Sequence, residues 1–224
     1  MERLCDTAAM LSTIFCRKFG YGGHMKQGLI PLSLLILTAC ATPPVLDVAA
    51  APEGAYVLDP AHASVNWSLS HSGLSFYTAR FDDISGALDF NPNAPTQSRV
   101  DIRIDPKSVS TGDTEWDDTL AMDAKYFDGE TYPEIRFVST SASTNSDTAG
   151  QVTGDLTLRG VTKPVTLDVT YNGAGKSFGH PGATLGFSAI GKINRSDWGM
   201  DYLTNFGIGD EVTLRIEAEF NEKQ

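Results

Sequence analysis

Cysteine is scarce in this chain of 224 residues, and the three that occur, Cys5, Cys16 and Cys40, all lie in its first forty residues. From Ala41 onward the chain can form neither a disulfide nor a thiolate metal site. A domain located there must be stabilised by its hydrophobic core alone. About 170 residues are enough for one such domain.

Basic residues are also few, because Lys and Arg total 17 against 28 Asp and Glu, for a net charge of -11. Residues 1–39 hold four basic and two acidic groups, so residues 40–224 carry 13 basic and 26 acidic groups, or -13. This balance argues against a nucleic-acid partner. It also argues against charge-driven binding to anionic lipid.

The sequence motifs of several enzyme classes are missing. The chain has no phosphate loop and no dinucleotide fingerprint, and no two of its histidines have the spacing of metal ligands. We therefore expect no catalytic residues, no metal and no cofactor. The alternative from this class is an enzyme that acts on a lipid head group through His71 and aspartates.

One short apolar run, residues 29–37, follows Lys26 and leads into Leu37-Thr38-Ala39-Cys40. It is too short to cross a bilayer as a helix. One interpretation is a buried core strand that happens to be followed by a cysteine. A basic start, an apolar stretch and small residues before a cleavage site are typical of a secretory signal. The last four residues resemble the lipobox of bacterial lipoproteins, which implies that Cys40 is lipidated.

This resemblance predicts the organisation of the N-terminal part. Residues 25–39 are expected to be a lipoprotein signal peptide, with translation beginning at Met25 and residues 1–24 a misassigned upstream start. Residues 40–55 are expected to be a lipidated cysteine and a Pro- and Ala-rich tether with no face to bury. Ala41 is not the aspartate associated with inner-membrane retention. The expected location is therefore the periplasmic face of the cell envelope, at the outer membrane.

From Tyr56 onward, apolar and polar residues alternate with the period of two that indicates half-buried β-strands. Helical spacing is limited to Trp116 and Leu120, with Thr114 as the expected cap. The fold class is therefore all-β, as a sandwich or a closed barrel. The alternating segments are 64–71, 83–90, 100–104, 134–137, 152–158, 165–171, 185–189 and 212–220.

Four blocks of residues then resemble the YceI-like, polyisoprenoid-binding family. They are His62-Ala-Ser-Val-Asn-Trp-Ser-Leu-Ser-His71 with Arg80-Phe81 and Ile84-Ser-Gly86; Asp118-Thr-Leu120 with Tyr126-Phe127-Asp128 and Tyr132-Pro133; Gly154-Asp-Leu156-Thr-Leu158-Arg-Gly160-Val-Thr-Lys163-Pro164; and Gly186-Phe187 through Asn194-Arg195-Ser196-Asp197-Trp198-Gly199. One departure is Ser72-Gly73-Leu74, where an aliphatic segment is expected. The resemblance implies a lipocalin-like, extended antiparallel β-barrel of about eight strands over residues 56–224. Its apolar tunnel would hold a long isoprenoid or fatty chain.

The residues predicted to contact this ligand are apolar. An aromatic set in strands is equally what a packed core contains, and small inward residues such as Gly86, Gly154 and Ala189 mark either free volume or barrel curvature. A polar head group is assigned to His71 and Arg195, each with a structural alternative: a hydrogen-bonded histidine, and an Arg195–Asp197 salt bridge. The predicted tunnel residues are Trp67, Leu69, Phe81, Leu88, Phe127, Phe137, Leu156, Phe187 and Trp198.

Together these observations predict an exported, lipid-anchored binding protein that holds a quinone, a prenyl pyrophosphate or a similar lipid for transport, storage or stress protection. The rival hypothesis is a structural or stress protein of the envelope whose barrel is packed solid.

Overall fold

The computed structural model describes residues 42–224, which form ten β-strands, one α-helix and several short 3-10 turns. Cys40 and the predicted signal peptide lie outside the described residues. Within them, no helix has the length and apolar character needed to cross a membrane. The elements are β1 (Gly54–His71), β2 (Ser75–Phe81), β3 (Ile84–Phe90), β4 (Arg99–Ile104), β5 (Val109–Ser110), α1 (Thr114–Met122), β6 (Ile135–Thr144), β7 (Ala149–Leu158), β8 (Val161–Gly175), β9 (Thr184–Asn194) and β10 (Ile208–Glu222).

Eight strands close into an antiparallel barrel, in the order β1, β10, β9, β8, β7, β6, β4 and β3, with β3 returning to β1. Closure depends on the length of β1, which pairs with β10 along one edge. On its other edge β1 pairs with β3 near its start and with β2 over its second half. A closed sheet leaves no barrel edge unpaired, which is how barrels avoid edge-to-edge aggregation. The predicted all-β barrel is confirmed.

The eight segments with alternating patterns correspond one by one to the eight barrel strands. Strands β2 and β5 were not predicted, and they extend the sheet beside β1 outside the barrel proper. The polar residues 139–144 belong to strand β6, which runs to Thr144, and the β6–β7 connection is residues 145–148. This part of the strand was not predicted, because its serines and threonines are all polar and show no alternation of apolar and polar residues.

A hairpin turn and a helix cap show how single residues set the local backbone. The Arg159-Gly160 turn joins β7 to β8, and both residues have positive φ (49° and 71°), as a type I′ hairpin turn requires. Helix α1 is present, but its N-cap is Asp113, whose carboxylate accepts from the amides of Glu115 and Trp116 at 3.1 and 3.3 Å. The cap predicted at Thr114 is thus one residue late. Asp ranks above Thr as a cap.

The barrel has two ends that differ in their covering. At the mouth end lie the connections 91–98, 145–148 and 176–183, together with residues 45–51, which we call the strap. At the closed end lie the turn 72–74, the connection 105–134 with α1, and the connection 195–207. The two ends of the barrel are therefore covered by different connections.

Candidate functional site

A cavity of about 830 Å³ opens at the mouth, among the strap and the connections 91–98 and 145–148, and extends inside the barrel as far as Ile84 on β3 and Ile104 on β4. This volume falls in the range of about 300–1,000 Å³ typical of small-molecule sites. Its walls are the inward side chains of the barrel strands. They include Leu58, Val65, Ile84, Leu88, Phe90, Val100, Ile102, Phe137, Leu156, Val165, Leu167, Val169, Phe187, Ala189, Leu214, Ile216, Ala218 and Phe220.

Burial along β10 shows that the interior here is hollow. Val212 and Phe220, at the two ends of the inward row, are buried. Leu214, Ile216 and Ala218 lie between them on the same face, yet they keep accessible surface. In a packed interior the middle of such a row is the most buried part, because neighbours surround it on all sides. These side chains therefore face space that a guest can fill.

The closed end, in contrast, is packed with aromatic rings. The centroid of Phe127 lies 5.2 Å from that of Phe81 and 6.2 Å from that of Trp67, and Tyr77 adds a further ring 6.2 Å from Trp67. Trp67 and Phe81 are buried. Edge-to-face pairs at these distances are the usual geometry of an aromatic core. This aromatic plug ends the cavity on that side.

The nine predicted tunnel residues therefore fall into two groups. Leu88, Phe137, Leu156 and Phe187 line the cavity. The other five lie in or near the plug and outside the cavity wall: Trp67, Leu69, Phe81, Phe127 and Trp198. Alternation gives the face of a strand correctly but carries no information on depth along the barrel, and depth separates a cavity wall from a plug.

The small inward residues also divide. A Cβ added to Gly86 would lie 2.8 Å from the carbonyl oxygen of Asp101, and one added to Gly154 would lie 2.6 Å from that of Val138. Neither glycine lines the cavity, so both allow neighbouring strands to approach closely. Ala189 does line the cavity. Of the three, only the alanine contributes free volume.

Arg195 is buried and its guanidinium is occupied by backbone carbonyls. It donates to Gly209 at 2.9 Å, to Tyr202 at 2.9 Å and to Ile208 at 3.2 Å, and also to Met200. Burial lowers the pKa of Arg195 from its usual value, and nearby Asp210 opposes this shift. These four bonds hold the 195–207 connection at the closed end, and Arg195 does not line the cavity.

The predicted Arg195–Asp197 salt bridge is wrong. Asp197 instead accepts from Nζ of Lys163 at 2.8 Å. His71 ends β1 at the closed end with an exposed side chain, and it does not line the cavity. Among residues 42–224, no hydrogen bond or ion pair joins His71 to a carboxylate. Asp118 lies within α1 and Asp128 follows it, and neither lines the cavity.

The polar groups of the cavity are concentrated at its mouth, and the sequence analysis missed them. They come from loops and strand ends, where the alternating pattern stops and gives no signal. Arg99 donates to the carbonyl of Ser98 at 2.8 Å, and Asp47 caps the strap by accepting from the amide of Ala49 at 3.0 Å. The polar lining residues at the mouth are Asp47, Thr96, Ser98, Arg99, Ser143, Thr144, Ser146, Asp147, Thr148 and Gln151.

The strap was predicted as a free tether, and the structure corrects this. Val45 exchanges two backbone hydrogen bonds with Ala174, at 2.7 and 2.9 Å. Ala51 is buried, and the hydroxyl of Tyr56 donates to the carbonyl of Pro52 at 2.7 Å. Leu46 and Val48 line the cavity. The bare Cα of Gly173, with φ of 125°, makes the room that Pro44 and the strap occupy.

Tyr171 links the strap to a ring of aromatics at the mouth. Its hydroxyl lies 3.4 Å from the carbonyl oxygen of Val45. Its ring is stacked on Phe90, with 6.3 Å between centroids, and is tilted by 56° against Phe187 at 5.5 Å. Burial, with smaller contributions from Tyr56 and Asp47, raises the pKa of Tyr171 to about 12. The phenol thus stays protonated and uncharged at neutral pH.

One cluster of side chains could hold a metal ion, and histidine spacing alone does not indicate it. Ligand atoms of Asp59, His62 and Glu219 lie within 4.8 Å of one another on the outside of the barrel. Asp59 already accepts from the amide of Ala61, from His62 and from Asn221 at 3.0 to 3.1 Å. These bonds stabilise the irregular stretch where β1 shifts register against β10. The cluster is accounted for as a structural brace.

Comparison with known proteins gives consistent matches. The model of the YceI-like domain family matches residues 56–220. A UPF0312 protein of Pseudomonas putida is 39% identical over 140 residues, which are 62% of this chain and 71% of that protein. Protein YceI of Escherichia coli is 38% identical over 160 residues, which are 70% of this chain and 81% of that protein.

Solved structures agree on the fold. BcnA of Burkholderia cenocepacia superposes with a TM-score of 0.62 at 26% identity, over 72% of this chain and 98% of that one. A YceI protein of Campylobacter jejuni gives a TM-score of 0.61 at 30% identity, over 67% and 88%. A domain from Saccharophagus degradans, described as polyisoprenoid binding, gives a TM-score of 0.52 at 17% identity, over 77% and 100%. This last likeness concerns the fold alone.

Proposed function

The chain belongs to the YceI-like domain family, and from that membership and its cavity we propose that it binds one long apolar chain of the isoprenoid type inside the barrel. The observation that carries the proposal is the row Leu214, Ile216 and Ala218, which keeps accessible surface between two buried ends. A chain threaded past these side chains would bury apolar surface at about 0.8 kcal/mol per methylene. The function is binding, not catalysis.

The distribution of polar residues sets the orientation of the ligand. The wall below the mouth is aliphatic and aromatic, and the aromatic plug closes the far end. The hydroxyl, amide and charged groups are at the mouth. A ligand with an apolar tail and a polar head therefore enters tail first, with its head between the connections 91–98 and 145–148.

The charges at the mouth favour an uncharged head. Asp47 and Asp147 belong to the lining, and Arg99 is the basic residue there, with a guanidinium nitrogen already bonded to Ser98. A pyrophosphate is recognised by several converging cations or amides, and an acidic surround raises the cost of burying it. A quinone or alcohol head needs only hydrogen bonds. Among the ligands expected from sequence, the neutral ones fit this mouth better.

A pair of ligands that share one tail tests this directly. Geranylgeraniol and geranylgeranyl pyrophosphate would each be added to protein stripped of lipid, and the rise in melting temperature followed. A ligand that binds only the folded state stabilises it by mass action. The alcohol should give the larger rise. Equal or larger stabilisation by the pyrophosphate would contradict the proposal that the head group is neutral. No rise in melting temperature with either ligand would favour the hypothesis of a barrel that is packed solid.

We also propose that the protein is exported and anchored through lipid on Cys40, at the periplasmic face of the outer membrane. Support comes from the sequence, namely the run 29–37 with Lys26 before it and Ala39-Cys40 after it. Replacing Cys40 with serine should abolish lipidation and release the protein from the membrane fraction. Wild-type protein found in the cytosol would contradict this location. The role expected of such a protein is to carry, store or shield a membrane lipid.

A further inference from the structure

We propose that the mouth end of the barrel docks on the surface of the bilayer, so that the cavity opens toward the membrane. The proposal rests on the anchoring proposed above and goes further, because an anchor alone does not orient a domain. Three observations carry it: the position of the strap, the short chain between the strap and Cys40, and the apolar side chains exposed beside the mouth.

The strap ties the N-terminal side of the chain to the mouth and to no other part of the barrel. Pro44 lies against Gly173, and Val45 is bridged to Ala174 next to it. Leu46 and Val48 form part of the cavity wall. The chain therefore leaves the domain toward its N-terminus directly at the rim of the opening.

The chain from this point to the anchor is short. Cys40 is four residues before Pro44 in the sequence, and an extended chain spans at most about 3.6 Å per residue, or about 14 Å here. A ten-residue strand such as β7 is about 34 Å long, which at a barrel tilt of about 40° gives roughly 26 Å between the ends. A connecting segment of this length keeps the mouth near the headgroups and leaves the closed end farther away.

The rim carries apolar side chains that nothing in the domain covers. Val45 and Leu46 are 47% and 57% exposed, and Phe178 is fully exposed in the connection 176–183, three residues after β8 ends. Phenylalanine and leucine are side chains that insert at the boundary between headgroups and acyl chains. Because residues 40–224 are strongly acidic, charge does not attract the domain to anionic lipid. Docking is therefore apolar, and added salt should not weaken it.

The closed end has exposed apolar residues of its own, namely Leu74, Phe76 and Phe206. Exposure alone therefore does not decide which end faces the bilayer. The short chain between Cys40 and Pro44 decides it, because it joins the mouth to the anchor. A bilayer-facing mouth also defines the source of the ligand. A lipid with its tail in the membrane can enter the cavity tail first without its tail crossing water, which restricts the ligand to membrane-resident lipids.

Single introduced cysteines test the orientation, because the thiol of Cys40 is consumed by lipidation and no cysteine follows it. Phe178→Cys at the mouth and Phe206→Cys at the closed end form a matched pair of exposed positions. Each lipidated protein would be labelled with an environment-sensitive fluorophore and reconstituted into phosphatidylethanolamine–phosphatidylglycerol vesicles that contain a shallow spin-labelled quencher lipid. Flotation would report anchoring, and native mass spectrometry of the same sample would report bound ligand.

The label at position 178 should be shielded from water and lose most of its emission to the quencher, while the label at 206 should retain it. Equal quenching at both positions, or stronger quenching at 206, would overturn the docking. Failure to float would overturn it too, and a ligand detected by mass spectrometry would then show that the binding function survives. Floating, correctly oriented but empty protein would instead contradict the ligand proposal and leave the docking intact.

Discussion

The indole of Trp67 packs edge-on against the ring of Phe127, with 6.2 Å between the centroids and 68° between the planes. Phe127 follows α1 and is brought to the barrel by backbone hydrogen bonds, including one from its own amide to the carbonyl of Leu120 at 3.1 Å. The single helix of the described domain thus helps to position a ring of the plug. The plug fills the closed end and so bounds the cavity on the side opposite the mouth.

Trp67→Ala should therefore behave as a core truncation. The plug is packed, so the lost ring leaves a void and should cost about 3–5 kcal/mol of unfolding free energy. Ligand affinity per folded molecule should change little, because Trp67 does not line the cavity. Denaturant unfolding and ligand titration check the two parts. A small stability loss with a large affinity loss would place Trp67 in the site, contrary to this account.

Trp67→Phe separates the ring from its polar atom. The indole nitrogen of Trp67 is buried with no hydrogen-bond partner among residues 42–224, and such a donor carries an uncompensated desolvation cost. The phenylalanine variant should lose clearly less stability than the alanine variant. Unfolding of the two proteins under the same conditions makes the comparison.

Arg195 gives a prediction about stability without binding. Arg195→Lys keeps the charge but cannot reach the four carbonyls that the guanidinium fork satisfies, so it should destabilise the protein by about 1–3 kcal/mol. Arg215→Lys, on the exposed face of β10, is the matched control and should be near neutral. A loss of affinity for ligands with polar heads, at unchanged stability, would restore Arg195 to a head-group role.

Gly173→Ala should release the strap. The glycine has φ of 125°, and an added Cβ would lie 2.7 Å from the Cβ of Pro44. Gly179→Ala is the control, because its φ of 86° is also positive while nothing lies within 4 Å of the added atom. Hydrogen exchange at the amides of Val45 and Ala174, which pair with each other, should accelerate in the first variant only. Equal exchange in both variants would mean that Gly173 does not hold the strap in place.

The pair Asp59 and His62 predicts a defined pH dependence. The hydrogen bond and charge of Asp59, with Glu219, raise the pKa of His62, and the bond with His62 is the largest cause that lowers the pKa of Asp59. A histidine whose pKa is raised by folding stabilises the fold below about pH 6.5. This stabilisation is lost as the pH rises through the pKa of the histidine in the folded state. A lowered aspartate pKa stabilises above about pH 3.9 and loses it as pH falls.

The brace should therefore contribute most between about pH 4 and 6.5. His62→Gln should lower the melting temperature more at pH 5 than at pH 8. A thermal melt of both proteins at the two values tests this. The same decrement at both pH values would show that protonation of His62 does not matter to the fold.

The sequence predicts the architecture better than the site, for a physical reason. Alternation places Val65, Leu156 and Leu214 on inward faces correctly, because one face of each strand must be apolar. The same rule treats Trp67 and Leu88 alike, although one belongs to the plug and the other to the cavity wall. Only the three-dimensional closure of the sheet decides how deep each residue lies.

The polar mouth and the strap could not be predicted from periodicity. Arg99 begins β4 and Asp147 lies in the connection 145–148, where turn chemistry replaces alternation. Val45 pairs with Ala174 across 129 positions of sequence. Proline and small residues before β1 are typical of a linker. Their docking depends on Gly173, whose missing side chain is significant only once the strap lies against it.

The central claim is that the barrel is hollow behind its mouth and holds an apolar ligand there. The most direct measurement is native mass spectrometry of protein purified without detergent. Ala218 lines the cavity with free space before it, so Ala218→Phe should fill that space. Ile190→Phe, on the exposed face of β9, is the control. Wild type and control should each carry an extra mass in the isoprenoid range, and Ala218→Phe should fold normally without it. A wild type that is always empty, with Ala218→Phe destabilised by the roughly 1–3 kcal/mol of an overpacked core, would contradict the claim.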